Sequence, residues 1–357
     1  MKTGHQLCLS LCVFLAGNAP SLAFPVKVSD DIQWKKCLQV ADQAAESSAP
    51  ELAGPLYIKA LSMAERFGEH DPRLVVSLHK VGSFYLYRSP PKAASYYKRS
   101  LAVMETLPRH QVLDLDLAME NGLLCEALMQ QKKYAEAEQY AKKKLALEES
   151  LLRNDDGALV HSLMRIGECE FNQERFEQAE PYYKRASEIA RAQNFPLLPN
   201  IFLILARIEA QACQFDKAVS YKQQAEAVKY KSDQVEFADN LRRLGVSFMR
   251  KRQWKEANDC YQEAADLLST APKDTSEITA TLLSDRGRLC FRQEQYSQAQ
   301  VLYEKALSLT RSAKLSVHKD LVEWVKSLAE VLQKQGKTEE AAKLSQQLQA
   351  VSAKSAN

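Results

Sequence analysis

The sequence predicts an all-α protein, an α-solenoid of about eight antiparallel helix pairs. Three observations lead to this prediction. The chain of 357 residues has only 11 Gly and 12 Pro, and Ala, Leu, Gln, Glu and Lys recur throughout, as in helix-forming sequences. An alanine that serves as a marker returns at intervals of 39 to 44 residues, which is typical of a helical repeat. Around each marker, aromatic and small residues return with the spacing of one helix face.

The marker alanine lies in the second helix of each predicted pair, helix B. It occurs at Ala53, Ala93, Ala137, Ala179, Ala218, Ala257, Ala299 and Ala341. Four residues later, five repeats carry a tyrosine, namely Tyr57, Tyr97, Tyr183, Tyr261 and Tyr303. Because positions four apart share a helix face, we expect this face to pack against helix A, the first helix of the pair. A row of tyrosines could also form a stacking platform for a ligand, but the helical spacing favours a role in the core.

A small residue stands twelve positions before most markers, within helix A. It is glycine at Gly167, Gly245 and Gly287, and a loop shorter by one residue would bring Gly82 into the same register. Glycine inside a helix costs about 1 kcal/mol relative to alanine. Its return at this position therefore predicts a close approach of helices A and B.

The first 23 residues have the features of a signal peptide. Lys2 supplies a positive start, the run from Leu7 to Ala16 is apolar, and Ser21-Leu22-Ala23 provides small residues for cleavage. The alternative is an uncleaved, buried N-terminal helix. We therefore predict a signal peptide (1–23), a short linker (24–30), a repeat domain (31–350) and a polar tail (351–357). The protein is expected to be extracytoplasmic, either periplasmic or secreted, and no later segment is apolar enough to span a membrane.

Six cysteines follow the predicted cleavage site: Cys37, Cys125, Cys169, Cys213, Cys260 and Cys290. No two are spaced as a CxxC pair, so the sequence contains no redox or zinc motif of that kind. They are either small apolar helix residues or partners in disulfides between neighbouring repeats. The sequence does not determine a pairing.

Charge and motifs indicate a binding protein. The net charge is only +3, which argues against general binding to polyanions, so no nucleic-acid partner is expected. The six histidines are dispersed, and the chain has neither a Gly-rich phosphate loop nor a Gly-x-Ser-x-Gly motif. We therefore predict a protein that is not an enzyme, with no cofactor and no metal.

The repeat resembles the tetratricopeptide repeat family over residues 31–350. The phrases AEPYYKRA (179–186) and FGEHDPRLVVSLHKVG (67–82) resemble its kinesin light chain subtype. The resemblance implies a right-handed superhelix whose concave wall is formed by helix A and binds extended peptides or protein segments. Where the subtype carries paired asparagines, this chain has Arg242-Arg243 and Ser284-Asp285, so the subtype's binding mode is not transferred.

The face of helix A opposite the buried one supplies the candidate groove. Its residues are basic towards the C-terminus and include apolar and acidic side chains near the middle of the chain: Arg207, Arg242, Arg243, Met249, Arg250, Arg288, Phe291, Arg292, Lys326, Lys334, Met164, Glu168 and Phe171. Several like charges along one groove attract an opposite charge, so we expect a protein or peptide partner with an acidic segment. Two alternatives remain. The charges could simply be solvated, or the protein could be a structural subunit of an envelope or secretion assembly that uses its convex face or its ends.

Overall fold

The computed structural model describes residues 28–47, 50–229, 233–272, 274–312 and 321–354. Within those ranges the regular structure is helical, without strands, and comprises α1 (Val28–Glu46), α2 (Ala53–Ala64), α3 (Pro72–Tyr85), α4 (Pro90–Thr106), α5 (Asp114–Gln130), α6 (Tyr134–Leu151), α7 (Ala158–Asn172), α8 (Phe176–Ala192), α9 (Leu198–Gln211), α10 (Phe215–Ala227), α11 (Gln234–Arg250), α12 (Trp254–Ser269), α13 (Ser276–Arg292), α14 (Tyr296–Ser312), α15 (Leu321–Lys334) and α16 (Thr338–Lys354). Short 3-10 turns lie at Pro50–Leu52, Glu65–Phe67 and Arg109–Gln111. The predicted all-α repeat of eight helix pairs is confirmed. Odd-numbered helices are the A helices and even-numbered helices are the B helices.

The predicted signal peptide lies outside the described residues. Helix α1 begins at Val28, within the segment predicted as a linker, and α16 continues to Lys354, within the predicted tail. None of the described helices combines the length and the apolar character that a bilayer-spanning helix needs.

The chain divides into two compact units, residues 1–189 and 190–357. We call their described parts the N-terminal unit (28–189) and the C-terminal unit (190–354). Each consists of successive helix pairs in which helix A packs on helix B of its own pair, as α5 does on α6 and α11 on α12. Helix B also packs on the next helix A, as α6 does on α7 and α12 on α13.

The glycines of helix A receive the tyrosine rings of helix B. A Cβ atom on Gly82, Gly167 or Gly245 would lie 2.5 to 2.6 Å from the tyrosine ring four residues after the marker, and one on Gly287 would lie 3.1 Å from the corresponding ring. The close approach of helices A and B expected from the sequence is confirmed, and the group next to each of these glycines is a tyrosine ring. All five tyrosines of this row are buried, so their core role is confirmed as well.

The last six turns from helix A to helix B each contain one residue in the left-handed region, five positions before the marker. Five of these residues are not glycine, and the set is Lys132, Glu174, Cys213, Arg252, Glu294 and Gly336. In the turn at Arg252, the Gln253 amide donates to the Phe248 carbonyl at 2.9 Å, which is the hydrogen bond of a Schellman motif. The same bond recurs in the other five turns. The motif ends helix A and satisfies its last carbonyls.

Candidate functional site

The last residue of helix A occupies the same register in six repeats, seven positions before the marker. We call this set the terminal row: Gln130, Asn172, Gln211, Arg250, Arg292 and Lys334. The two members in the N-terminal unit are neutral, whereas the last three in the C-terminal unit are cationic. All of them except the half-buried Gln211 are exposed.

Arg242 is predicted as a groove residue, but the protein uses it internally. Its guanidinium donates to Asp285 Oδ2 at 2.6 Å and lies 2.7 Å from Asp239 Oδ1. Both ends of the Arg242–Asp285 pair are largely buried, with side chains 15% and 7% exposed. Burial lowers the pKa of Arg242, but the two carboxylates outweigh it and raise that pKa overall. This contact joins α11 to α13, which are A helices of consecutive repeats.

Arg243 and Arg288 also have carboxylate partners. Arg243 lies 2.7 Å from Asp239, its neighbour one helical turn earlier. Arg288 lies 3.2 Å from Glu323 and 3.8 Å from Asp285. Part of the basic charge expected on this face is therefore already neutralised within the C-terminal unit.

Four of the five remaining cations of the candidate set are exposed. Arg250, Arg292, Lys326 and Lys334 form no ion pair with any residue that the structure describes. Arg250, Arg292 and Lys334 also end their helices, where a positive charge is favourable for the helix dipole even without a ligand. Arg207, on α9, is half-buried. The available positive charge thus lies mainly on the terminal row.

The apolar candidates differ in their exposure. Met249 is buried at 6% exposure, and its Sδ lies 4.0 Å from the Tyr261 hydroxyl, so it belongs to the core and not to an open surface. Phe291 is half-buried and packs edge-on against Tyr296, with ring centroids 5.7 Å apart.

In the N-terminal unit, Met164 and Phe171 are half-buried, and Phe171 packs edge-on against Phe176 at 5.1 Å. Glu168 accepts a hydrogen bond from Arg165 at 2.9 Å. Arg165 lies 2.8 Å from Glu126 of the preceding A helix as well. The acidic member of the candidate set is therefore already paired with an arginine of its own helix, and that arginine also contacts the preceding repeat.

Sequence reasoning missed the carboxylates that neutralise the arginines. Asp239 could have been found, because it precedes Arg242 and Arg243 by three and four residues on one helix. Asp285 precedes Arg288 by three residues, so that pair is also a local one. The Arg242–Asp285 and Arg288–Glu323 pairs, in contrast, join residues more than thirty positions apart, and no local spacing indicates them. Among the described residues, no group of three or more His, Cys, Asp or Glu side chains is placed to hold a metal ion.

The tetratricopeptide repeat profile matches residues 116–192, 159–231 and 236–312, which together make up more than half of the chain. The protein therefore belongs to the tetratricopeptide repeat family, as the repeat pattern predicts.

Solved structures agree with this fold. The apo form of RapI is similar with a TM-score of 0.57 at 14% identity, covering 79% of this chain and 99% of that one. Yeast Tom70 gives 0.54 at 17% identity, covering 95% of this chain and 64% of that one. Aspartyl phosphate phosphatase F from Bacillus subtilis gives 0.53 at 16% identity, covering 85% and 80%. At such identities the similarity concerns the fold alone. No curated protein matches the chain significantly.

Proposed function

We propose that the protein is a non-enzymatic scaffold that binds an extended acidic protein or peptide segment along the terminal row of its C-terminal unit. The observation that supports this most directly is the presence of exposed cations at the ends of three consecutive A helices: Arg250, Arg292 and Lys334. Membership of the tetratricopeptide repeat family supports the scaffold role. The resemblance drawn from the sequence implies peptide binding on the A-helix wall.

The register of the three cations suggests the spacing of the ligand's charges. Packed helices lie about 8–10 Å apart, and an extended chain rises about 3.3 Å per residue. A carboxylate at about every third residue would therefore meet one cation per repeat. One exposed ion pair contributes about 0–1 kcal/mol, so the affinity depends on several repeats acting together. Arginine adds a planar pair of donors for each carboxylate, which lysine does not offer.

The proposal also covers the compartment in which the protein works, and this part rests on the N-terminal sequence. The predicted signal peptide supports an extracytoplasmic scaffold, periplasmic or secreted, after cleavage near Ala23. Edman sequencing or intact mass of the exported protein tests this directly. A chain that keeps its first 23 residues after export would contradict it.

A second candidate function is a structural subunit that packs through its ends. The first helix pair leaves large apolar side chains exposed, with Ile32 at 58%, Leu52 at 59% and Ile58 at 42%. Such residues are common at association surfaces when they are contiguous. A complex that survives reversal of the terminal row but is lost in the I32K/I58K variant would favour this function.

The test uses fluorescence anisotropy with labelled peptides. One peptide carries glutamate at every third position, a second has the same composition in scrambled order, and a third carries lysine instead. We expect the spaced acidic peptide to bind most tightly and to weaken as salt rises, because exposed charges are screened.

The test variant is R250E/R292E/K334E. Its matched control is K255E/K305E/K343E, which reverses three exposed lysines on the B helices of the same repeats and has the same net charge. We expect at least a tenfold loss of affinity in the first variant and less than a threefold loss in the second. Equal losses, or no preference among the peptides, would reject the terminal row as the site.

A further inference from the structure

The C-terminal unit contains a cavity that the terminal row does not use. It has a volume of about 520 Å³ and is lined by residues of α12, α13, α14 and the turn between α13 and α14. This volume is usual for small-molecule sites, which measure about 300–1,000 Å³. Arg286 of α13 contributes to the wall, whereas Arg292 of the terminal row, six positions further along the helix, does not. Because six residues separate two side chains by about 120° around an α-helix, Arg286 faces away from the terminal row.

Arg286 supplies the charge of this cavity. The other residues that line it are neutral, and Arg286 itself is half-buried. Within the part of the chain that the structure describes, Arg286 forms no ion pair, in contrast to Arg288 on the same helix. Its guanidinium donates to Gln262 Oε1 of α12 at 3.4 Å, which is long for a hydrogen bond. A half-buried guanidinium without a carboxylate partner has donors available for an anion from outside the chain.

The rest of the wall combines side-chain amides with aliphatic surface. Asn258 lines it from α12, Gln298 from α14 and Gln293 from the turn. Leu289 and Val301 provide apolar surface, and Val301 is 47% exposed. Amides both donate and accept hydrogen bonds, and covering an exposed aliphatic side chain is favourable. The wall therefore suits a ligand that carries an anion, an amide and a short aliphatic group.

We propose that this cavity is a second binding site, separate from the terminal row, for an aliphatic carboxylate that also carries an amide, such as an N-acylated leucine. The carboxylate pairs with the Arg286 guanidinium, and the aliphatic group contacts Leu289 and Val301. The amide of the ligand meets the side-chain amides of the wall. A neutral molecule of the same shape lacks the ion pair, and a cation is repelled by Arg286, so the charge of the wall selects an anion.

Cys290 provides a chemical reporter inside the cavity. Its free, half-buried thiol lines the wall one helical turn after Arg286 and donates a hydrogen bond to Gln298 Oε1 at 3.9 Å. Burial raises the pKa of Cys290, and the charge of Arg286 partly offsets that rise. A ligand in the cavity covers this thiol, so its presence slows alkylation of Cys290.

The experiment is isothermal titration calorimetry of the full chain with N-acetyl-leucine, and N-acetyl-leucinamide is the neutral match. We expect the acid to bind at least tenfold more tightly than the amide, and R286Q to lose at least tenfold in affinity for the acid. The control K305Q removes an exposed lysine of α14 outside the cavity wall and should stay within threefold of the native protein. At physiological salt, R250E/R292E/K334E should also stay within threefold, which separates this site from the terminal row.

Alkylation of the folded chain, read by peptide mass mapping, locates the bound ligand. Saturating N-acetyl-leucine should slow the alkylation of Cys290 at least fivefold and leave that of the exposed turn residue Cys213 unchanged. A second variant, S297F, fills the cavity from α14 while keeping Arg286, and it should bind the acid as weakly as R286Q does. Thermal melts of both variants check that they are folded.

A peptide distinguishes two sources of the ligand. Tighter binding of N-acetyl-alanyl-alanyl-leucine than of N-acetyl-leucine would identify the ligand as the end of a chain, and equal or weaker binding would identify it as a free acid. Either result supports the cavity as the site. The proposal is overturned if neither compound binds, if acid and amide bind equally, if R286Q binds as the native protein does, or if Cys213 is protected as strongly as Cys290.

Discussion

One ion pair between consecutive A helices in the C-terminal unit is much more buried than the corresponding ion pair in the N-terminal unit. In the C-terminal unit, the tie between α11 and α13 is a nearly buried ion pair, Arg242–Asp285 at 2.6 Å. In the N-terminal unit, the corresponding ion pair between α5 and α7 joins Arg165 to Glu126 at 2.8 Å and is much more exposed. Arg242 is therefore expected to stabilise its unit more than Arg165 stabilises the N-terminal unit.

The same comparison separates structural charge from available charge. Arg242, Arg243 and Arg288 face carboxylates of their own unit, whereas the cations that end α11, α13 and α15 are exposed. At the corresponding helix ends the N-terminal unit carries Gln130 and Asn172. A count of arginines along the sequence overstates the positive charge that is available to a ligand. The exposed cations of the terminal row give a better measure of that charge.

The largest expected effect is the loss of the buried ion pair. Replacing Arg242 with Met leaves Asp285 buried without its main partner, and breaking such a pair costs about 3 kcal/mol. Replacing Arg165 with Met removes a partly exposed pair worth about 0–1 kcal/mol. Hydrogen exchange read by mass spectrometry, with peptides assigned to each unit, measures both losses separately. Equal losses of protection in the two variants would contradict the comparison.

The next effect concerns the glycine contacts. A Cβ on Gly245 would lie 2.5 Å from the buried Tyr261 ring, whereas one on Gly122 of the N-terminal unit would meet only the flexible end of Lys144 at 2.9 Å. We expect G245A to destabilise the C-terminal unit by about 1–2 kcal/mol, since overpacking outweighs the gain in helix propensity.

The control variant G122A should be neutral or stabilise by up to about 1 kcal/mol, because the lysine can move. Urea denaturation measures both changes. A stabilising G245A would show that the ring can shift without cost.

A third effect distinguishes the N-terminal unit by its response to acid. Burial alone would raise the pKa of Glu138, but hydrogen bonds from Lys142 and Gln173 and the neighbouring charge hold it at about 2. Because this pKa lies below its unfolded value, the stabilisation is present above about pH 4.5 and is lost as the pH falls towards 2.

The buried neighbour Glu170 has a raised pKa and opposes part of the loss. We therefore expect a net loss of about 1 kcal/mol between pH 5 and pH 3, and a flatter pH profile for E138Q. Urea denaturation at several pH values measures the free energy of unfolding and so this loss. If the free energy of unfolding of E138Q falls with pH as steeply as that of the native protein, Glu138 is excluded as the cause of the acid sensitivity.

The smallest effect should be the same in both units. Glu174 and Arg252 adopt φ values of 61° and 62° in their turns, a conformation that costs a residue with a Cβ about 1–2 kcal/mol. Glycine removes that strain but adds freedom to the unfolded chain, so E174G and R252G should each stabilise by about 0.5 kcal/mol.

The reverse substitution, G336A, should destabilise by about 1 kcal/mol. Thermal melts of the three variants and the native protein rank their stabilities. A destabilising E174G together with a stabilising R252G would show that the turns are not equivalent.

Sequence reasoning was most accurate where a feature repeats locally. The markers, the tyrosine row and the glycines of helix A were all visible as spacings, because one helix turn returns every 3.6 residues and each repeat copies the last. The left-handed turn residues were missed, although they too recur in register. Only Gly336 carries the residue type that indicates such a turn, and the other five positions hold Lys, Glu, Cys or Arg.

The sequence by itself determined the helix pairs, their register, the buried face of helix B and membership of the tetratricopeptide repeat family. The tertiary structure alone decided which charges are neutralised, since Arg242 meets Asp285 and Arg165 meets Glu126 across about forty residues of chain. It also decided that Met249 is buried. The physical reason is that periodicity reports which face of a helix is apolar. The partner of a side chain on that helix depends on how the next repeat stacks.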